Sequence, residues 1–198
     1  MQKVALVLSG SSADTANLAT EIEKADYVVR LHDSDWQPAE THGVKYNFGV
    51  LPNPWLSMAT RQIKRIPEQG WLVYEWAYQK HRQVVPPQIA GRPTYSYAPK
   101  LTAEYFNPDL APTRGFMAIV GCLGFFPKYQ LIVYFGDSLR TGQVTEYSEL
   151  FHQHRQRVWP QYSWVKSNRV SPLKPGRHDY EYESKLLRQL YGERVLFR

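Results

Sequence analysis

Short apolar runs alternate with amphipathic stretches along most of this chain. Residues 4–8 (VALVL) are too few and too rich in β-branched side chains for a helix, which predicts a buried strand. Residues 14–24 carry apolar side chains at helical spacing, and residues 27–31 (YVVRL) return to the strand pattern. This order predicts a β-α-β unit with a tight first turn, which is how a parallel, doubly wound sheet begins.

The alternation continues to the C-terminus, apart from a proline-rich stretch in the middle. We expect that stretch, residues 85–112, to be a long ordered loop or lid. The pattern predicts strands at 44–50, 71–78 and 130–136, helices at 56–66 and 113–126, and a last helix that stops at Gly192 before the strand RVLF. Residues 1–198 are therefore expected to form a single α/β domain, Rossmann-like, with a mostly parallel central sheet flanked by helices.

The charge balance is basic, with 24 Lys and Arg against 18 Asp and Glu. Such a surface suits phosphorylated substrates, anionic lipid headgroups or nucleic acid, although solubility alone is an equally ordinary reason for it. An apolar content of 43% excludes a disordered chain. Cys122 is the one cysteine, so the chain has no intrachain disulfide, and no run approaches the roughly 20 apolar residues of a membrane span. We expect a cytoplasmic protein.

Small polar residues follow the first predicted strand. This loop consists of Ser9, Gly10, Ser11 and Ser12. Backbone N–H groups at a helix N-terminus bind anions, and small side chains let a phosphate approach closely. Arg30 and His32 stand at the end of the next strand, on the same edge of a parallel sheet. The arrangement indicates a phosphate site, although such a loop can also serve only to cap its helix.

A second segment places Thr113, Arg114 and Gly115 in a turn that opens an apolar helix. Asp137 lies at the C-terminal end of the strand that follows. Because ligands of doubly wound sheets lie outside the carboxyl ends of the strands, Asp137 is expected close to the serine-rich loop and to Arg30. The alternative is that Asp137 merely caps a loop.

The last predicted helix begins with HDYEYE, which contains His178 and Glu183. An imidazole with an ordinary pKa near 6.5 suits proton transfer at neutral pH. Glu183 either orients that imidazole or favours the helix dipole. A histidine in front of a helix can equally be a cap or a surface residue.

In this order the segments resemble the motifs of the sialyltransferase superfamily, most closely glycosyltransferase family 29. The family's large motif begins with a strand and a Gly/Asn/Ser loop, which correspond here to VLSGSS. It continues with D-x-V-x-R-x-N, which corresponds to DYVVRLH, and then with G-x-K, which corresponds to HGVKYN. Its small motif, P-S-T-G followed by a helix and a strand ending in Y-G-F-D, reads as PTRG and YFGD. Its last motif, a histidine with a glutamate five positions later, corresponds to His178 and Glu183.

The chain departs from the family pattern at three donor-site positions. The loop asparagine corresponds to Ser9, the asparagine after the arginine to His32, and the residue before Gly115 is Arg114 in place of serine or threonine. The family's histidine upstream of the last motif has no clear counterpart. These changes bear on the donor sugar, and another keto-sugar carried on CMP, such as Kdo, is compatible with them.

The resemblance implies a GT-A-variant fold and an inverting, metal-independent transfer of a sugar acid from a CMP donor to a glycan or glycolipid hydroxyl. It implies that His178 is the general base, with Glu183 as the second catalytic residue. The implied donor-nucleotide site comprises Ser9, Gly10, Ser11, Ser12, Arg30, His32, Thr113, Arg114, Gly115 and Asp137. No metal and no cofactor beyond the CMP-activated co-substrate are expected. With the basic charge, the resemblance also suggests peripheral contact with an anionic inner membrane.

Two other functions remain open at this point. One is a nucleotide- or RNA-binding protein with a Rossmann-like fold that has lost catalysis. The basic charge, the 14 Tyr and the 6 Trp support it. Its Lys and Arg residues are scattered, so we expect no nucleic-acid partner. The other is a glycosyltransferase that uses a different nucleotide sugar.

Overall fold

The computed structural model describes residues 1–8, 18–31, 39–52, 63, 65–74, 84–97, 112–143 and 180–198. Within these ranges eight strands form one sheet. The strands are β1 Lys3–Val7, β2 Tyr27–Leu31, β3 Phe48–Pro52, β4 Gly70–Tyr74, β5 Gln88–Ile89, β6 Arg92–Tyr97, β7 Gln130–Tyr134 and β8 Val195–Phe197. The helices are α1 Leu18–Glu23, α2 Ala39–His42, α3 Arg114–Phe125, α4 Asp137–Thr141 and α5 Tyr180–Tyr191, which continues into a 3₁₀ turn, Gly192–Arg194.

The strand order is β5-β6-β4-β3-β2-β1-β7-β8. All neighbouring strands are parallel except the β5–β6 hairpin. The chain builds the sheet outward from β1 to β6 and then returns, so that β7 pairs with β1 on its other side. The order of strands therefore reverses between β1 and β7, and this reversal is the topological switch point, outside which doubly wound sheets bind their ligands.

Both faces of the central strands are covered. On one face, Val4 and Leu6 of β1 belong to a buried cluster with Phe116 of α3 and Leu186 of α5. On the other face, Ala5 and Val7 pack with residues of α1. This burial on both sides explains why the strands read as continuous apolar runs in the sequence. The two faces are called the α3 face and the α1 face below.

The structure confirms the α/β class and the mostly parallel sheet flanked by helices. The predicted strands at 4–8, 27–31 and 130–136, the buried helix at 113–126, and the closing order of helix, glycine and strand are confirmed within one or two residues at most ends. Of the predicted helix at 14–24, residues 18–23 are described as α1, and the strand predicted over 71–78 is described up to Tyr74. That residues 1–198 form one domain stays a prediction.

The third strand begins four residues later than the pattern predicts, at Phe48. The backbone N–H groups of Val44 and Lys45 donate to the Glu23 carboxylate at 2.5 and 2.7 Å and so take no part in the sheet. Most of the helix predicted at 56–66 lies outside the described residues, and Ile63, Arg65 and Ile66 are not helical.

The expectation of a loop or lid at 85–112 is wrong for its first half, because β5 and β6 form a hairpin there. Ala90 and Gly91 both have positive φ, 50° and 73°, as a tight turn between two strands requires. β6 then pairs in parallel with β4. Tyr97, at the end of β6, donates from its hydroxyl to the Met117 carbonyl at 3.0 Å and packs against Gly121 of α3. Residues 98–111 lie outside the described part.

Candidate functional site

Several elements converge at the carboxyl ends of β1 and β7. A Cβ atom at Gly115, in the first turn of α3, would lie 2.8 Å from Leu139 of α4 and 3.2 Å from Leu8, which directly follows β1. The glycine therefore lets the start of α3 pack against the exit of β1. α4 begins at Asp137, two residues after Phe135 and three after the end of β7. The start of α3, α4 and the exit of β1 thus lie together at the switch point.

Thr113 and Glu183 connect α3 to α5 at this edge. One Glu183 carboxylate oxygen accepts from the Thr113 backbone N–H, and the other accepts from the Thr113 hydroxyl, both at 2.6 Å. The Thr113 hydroxyl also accepts from the Phe116 N–H at 3.0 Å and so caps α3. Glu183 is fully buried. A buried carboxylate at a helix N-terminus is stabilised by such charge-assisted bonds and by the helix dipole.

Tyr180, in the first turn of α5, belongs to the same environment. Its burial and the neighbouring Glu183 carboxylate raise the pKa of Tyr180 to about 12. The phenol therefore stays protonated at neutral pH, and its hydroxyl keeps a proton to donate.

On the α1 face, Arg30 lies near the end of β2 with its side chain fully buried. Its Nε donates to the Lys45 carbonyl at 2.8 Å and its Nη2 to the His42 carbonyl at 2.7 Å. Among the described residues, its Nη1 group has no hydrogen-bond partner and the guanidinium makes no ion pair. Burial, and then repulsion from Arg65, lower the pKa of Arg30 to about 10, so the group remains a cation at neutral pH. A buried cation of this kind is suited to an anionic ligand.

His42 and Phe135 form a ring stack next to this arginine. Their ring centroids are 3.8 Å apart and their planes are inclined by 15°. Phe135 directly follows β7 and has φ of +59°, a left-handed conformation that is strained for a bulky side chain. The strained backbone brings Phe135 onto the same face as its neighbour Tyr134, in the cluster formed with α1. The α1 face of the switch point therefore combines a strained backbone with a buried guanidinium that makes no ion pair among the described residues.

The segment HGVKYN has a structural role in this fold. Gly43 ends α2 with φ of +69°, and a Cβ atom there would clash with the Glu23 carboxylate. Lys45 donates from its Nζ to the Ala25 carbonyl at 2.6 Å. These contacts tie the end of α1 to the start of β3 and hold the carbonyls that Arg30 contacts.

The residues predicted for the site are distributed as follows. Thr113, Gly115 and Glu183 lie together on the α3 face, with Arg114 half-buried as the first residue of α3. Asp137 opens α4 and pairs with Arg140 at 3.1 Å. Arg30 is not brought next to Glu183, because strand alternation turns its side chain to the α1 face. The predictions outside the described residues are Ser9, Gly10, Ser11, Ser12, His32 and His178.

Sequence reasoning missed His42 and Phe135. A signal for Phe135 was present, because the motif that YFGD resembles has glycine at that position. Glycine adopts a left-handed backbone without strain, so the motif marks the place where the chain needs a positive φ. His42 carries no comparable signal, since its contact with Phe135 depends on the tertiary packing.

Among the described residues, no group of three or more His, Cys, Asp or Glu side chains is placed to hold a metal ion. None of the described helices is long and apolar enough to cross a membrane. Comparison of the chain with protein-family models and with curated protein sequences finds no match. The case for a function therefore depends on the geometry at the switch point and on the motifs.

Proposed function

We propose that this protein is a sialyltransferase-like glycosyltransferase of GT-A-variant fold. It transfers a sugar acid, sialic acid or a Kdo-like sugar, from a CMP donor to a hydroxyl of a glycan or glycolipid. The observation that carries the proposal is the pair of 2.6 Å bonds between Thr113 and Glu183. Thr113 belongs to the segment that resembles the family's small motif, and Glu183 to the one that resembles its last motif. Thr113 and Glu183 come from two separate motifs 70 positions apart and are hydrogen-bonded to each other. They lie at the carboxyl edge of the sheet, where doubly wound proteins generally bind their ligands.

The donor phosphate is assigned to the carboxyl edge at the switch point, with Arg30 on its α1 side. Arg30 is a buried guanidinium with no carboxylate in ion-pair contact among the described residues, and a phosphate would supply the missing negative charge. The amides of Ser9–Ser12 and the Arg114 guanidinium are the other proposed phosphate ligands. Together they stabilise the charge that develops on CMP as it leaves.

The reaction is a displacement at the anomeric carbon of the sugar acid. The acceptor oxygen forms a bond to that carbon while the bond to the phosphate oxygen breaks, and CMP leaves with the electron pair. His178 takes the proton of the acceptor hydroxyl. Because Glu183 is bonded to Thr113, it holds the first turn of α5 against the start of α3. The reaction inverts the configuration and needs no metal and no cofactor.

The test is release of CMP from CMP-Neu5Ac and from CMP-Kdo, by the wild type and by His178→Ala. We expect slow donor hydrolysis that the variant loses, while His152→Ala, a control at a histidine outside the three motifs, keeps it. Hydrolysis that survives in His178→Ala would reassign the base, and the next candidates are His32 and His154, a histidine upstream of the last motif. If neither donor is turned over and CMP does not bind, the transferase proposal fails.

The buried Arg30 also supports a second candidate, a nucleotide- or RNA-binding protein that has lost catalysis, because a phosphate site is useful without turnover. Thermal melting with CMP, UMP, GMP and a short RNA separates the two. A shift specific to CMP supports the transferase, and an equal or larger shift with RNA supports the alternative. We further propose that the protein is cytoplasmic and contacts an anionic membrane peripherally, in keeping with its net charge of +6.

A further inference from the structure

A separate cleft lies between α4, α5 and β8, at the edge of the sheet beyond β7. Its volume is about 280 Å³. Its apolar lining comes from Leu139, Leu187, Val195 and Phe197. Since an apolar cavity of about 150 Å³ can already bind benzene, the cleft has room for a body of one ring or a short alkyl chain. None of the described residues that line it belongs to the donor site proposed above.

Arg188 lies at the rim of this cleft in a fixed position. Its Nη2 donates to the Ser184 hydroxyl at 2.7 Å and to the Arg140 carbonyl at 3.2 Å. The Ser184 hydroxyl itself donates to the Arg140 carbonyl at 3.1 Å, and Ser184 is 2% exposed. The guanidinium is therefore held by groups that connect α4 to α5, which reduces the entropy lost when it binds a ligand.

Two cations near Arg188 are each paired with a carboxylate. Arg140, the other cation of the lining, pairs with Asp137 at 3.1 Å. Lys185, on the same helix, pairs with Glu181 at 2.7 Å. In the part of the chain that the structure describes, Arg188 makes no ion pair. A cleft with an apolar side and a hydrogen-bonded cation at its rim, unpaired among the described residues, is complementary to an amphipathic anion.

We propose that this cleft binds a small amphipathic organic anion, a carboxylate or phosphate monoester on one ring or a short alkyl chain. The apolar body lies among the four apolar side chains, and the anionic group accepts hydrogen bonds from Arg188. This site goes beyond the proposed transfer reaction and is independent of it.

The test uses phenylacetate and phenyl phosphate as probes and phenylacetamide as their neutral counterpart, with the full chain. Methyl NMR spectra follow Leu139, Leu187 and Val195. We expect saturable shifts confined to these methyl groups with the anions, and binding of phenylacetamide that is weaker on the order of tenfold, the loss of one charge-assisted hydrogen bond.

Arg188→Gln should weaken binding of both anions by the same order, while Lys185→Gln, the matched control on α5, should leave it unchanged. The proposal is overturned if neither anion shifts the three residues, or if phenylacetamide binds as tightly as phenylacetate. An equal loss in Lys185→Gln would also overturn it, because the attraction would then be a general surface charge effect. Should Arg188→Gln fail to fold, the comparison of anion with amide in the wild type still decides.

Discussion

The two faces of the sheet differ in how completely a buried charge is hydrogen-bonded near the same carboxyl edge. On the α3 face, the Glu183 carboxylate accepts two short hydrogen bonds from Thr113. On the α1 face, the buried Arg30 guanidinium contacts two carbonyls but makes no ion pair among the described residues. Both oxygens of the Glu183 carboxylate accept hydrogen bonds, whereas the Nη1 group of Arg30 has no acceptor among the described residues. Packing therefore satisfies the first charge more fully than the second. Four predictions test this comparison.

The largest effect on stability is expected from removing the Glu183 carboxylate. Glu183→Ala leaves the buried N–H and hydroxyl of Thr113 without acceptors and should lower the free energy of unfolding by about 3 kcal/mol, measured by urea denaturation. Glu181→Ala, in the same helix turn but with an exposed ion pair to Lys185, should leave the free energy of unfolding almost unchanged, because solvent screens that pair. Equal losses in the two variants would refute the structural role of Glu183.

The second prediction concerns the unneutralised charge. CMP at 100 times its Kd should raise the free energy of unfolding by about 2.7 kcal/mol, and Arg30→Met should remove most of this gain. Arg92→Met is the control, because Arg92 also donates to a backbone carbonyl, that of Pro67. Cytidine, which lacks the phosphate, should stabilise the wild type far less. If CMP and cytidine act alike, Arg30 does not bind the phosphate.

The third prediction tests the strained backbone beside Arg30. At position 135, the variant Phe135→Gly should be more stable than Phe135→Ala by about 1 kcal/mol. The reason is that alanine is strained at the left-handed φ of +59°, whereas glycine is not. At Ile132, in the regular part of β7, the order should reverse, with alanine the more stable. Urea denaturation of the four variants measures both differences. The same order at both positions would show that residue 135 is not strained.

The smallest effect on stability is expected from a change of pH. A rise in pH destabilises the protein through Tyr180 on the α3 face and stabilises it through Arg30 on the α1 face. The pKa of Tyr180 is raised to about 12, so its contribution to stability is complete below pH 10 and is lost as the pH rises from 10 to 12. Arg30 has its pKa lowered to about 10, so it opposes folding below pH 10 and this penalty diminishes between pH 10 and 12.5. Between pH 9.5 and pH 11, about the range in which unfolded tyrosine ionises, the wild type should lose more stability than Tyr180→Phe, by less than about 1 kcal/mol. A wild type that loses no more than Tyr180→Phe would contradict the tyrosine assignment.

Much of the fold is predictable because periodicity and burial are local signals. β1, β2, β7 and α3 read directly as apolar runs of the right length. The hairpin at β5–β6 was missed because its prolines favour a loop, whereas pairing with β4 and the contact of Tyr97 with α3 outweigh that preference. α4 was missed because a helix of five residues has too few turns to show a helical pattern of apolar residues.

The sequence pattern predicts that Arg30, Thr113 and Asp137 come to one edge, since parallel strands joined by helices all end on the same side. Which of these side chains meet depends on the tertiary packing. Strand alternation and the strand order separate Arg30 from Glu183, and packing joins Glu183 to Thr113 and His42 to Phe135. The physical reason is that periodicity reports how each segment meets the core, whereas a hydrogen bond between residues 70 positions apart depends on how the helices pack across the sheet.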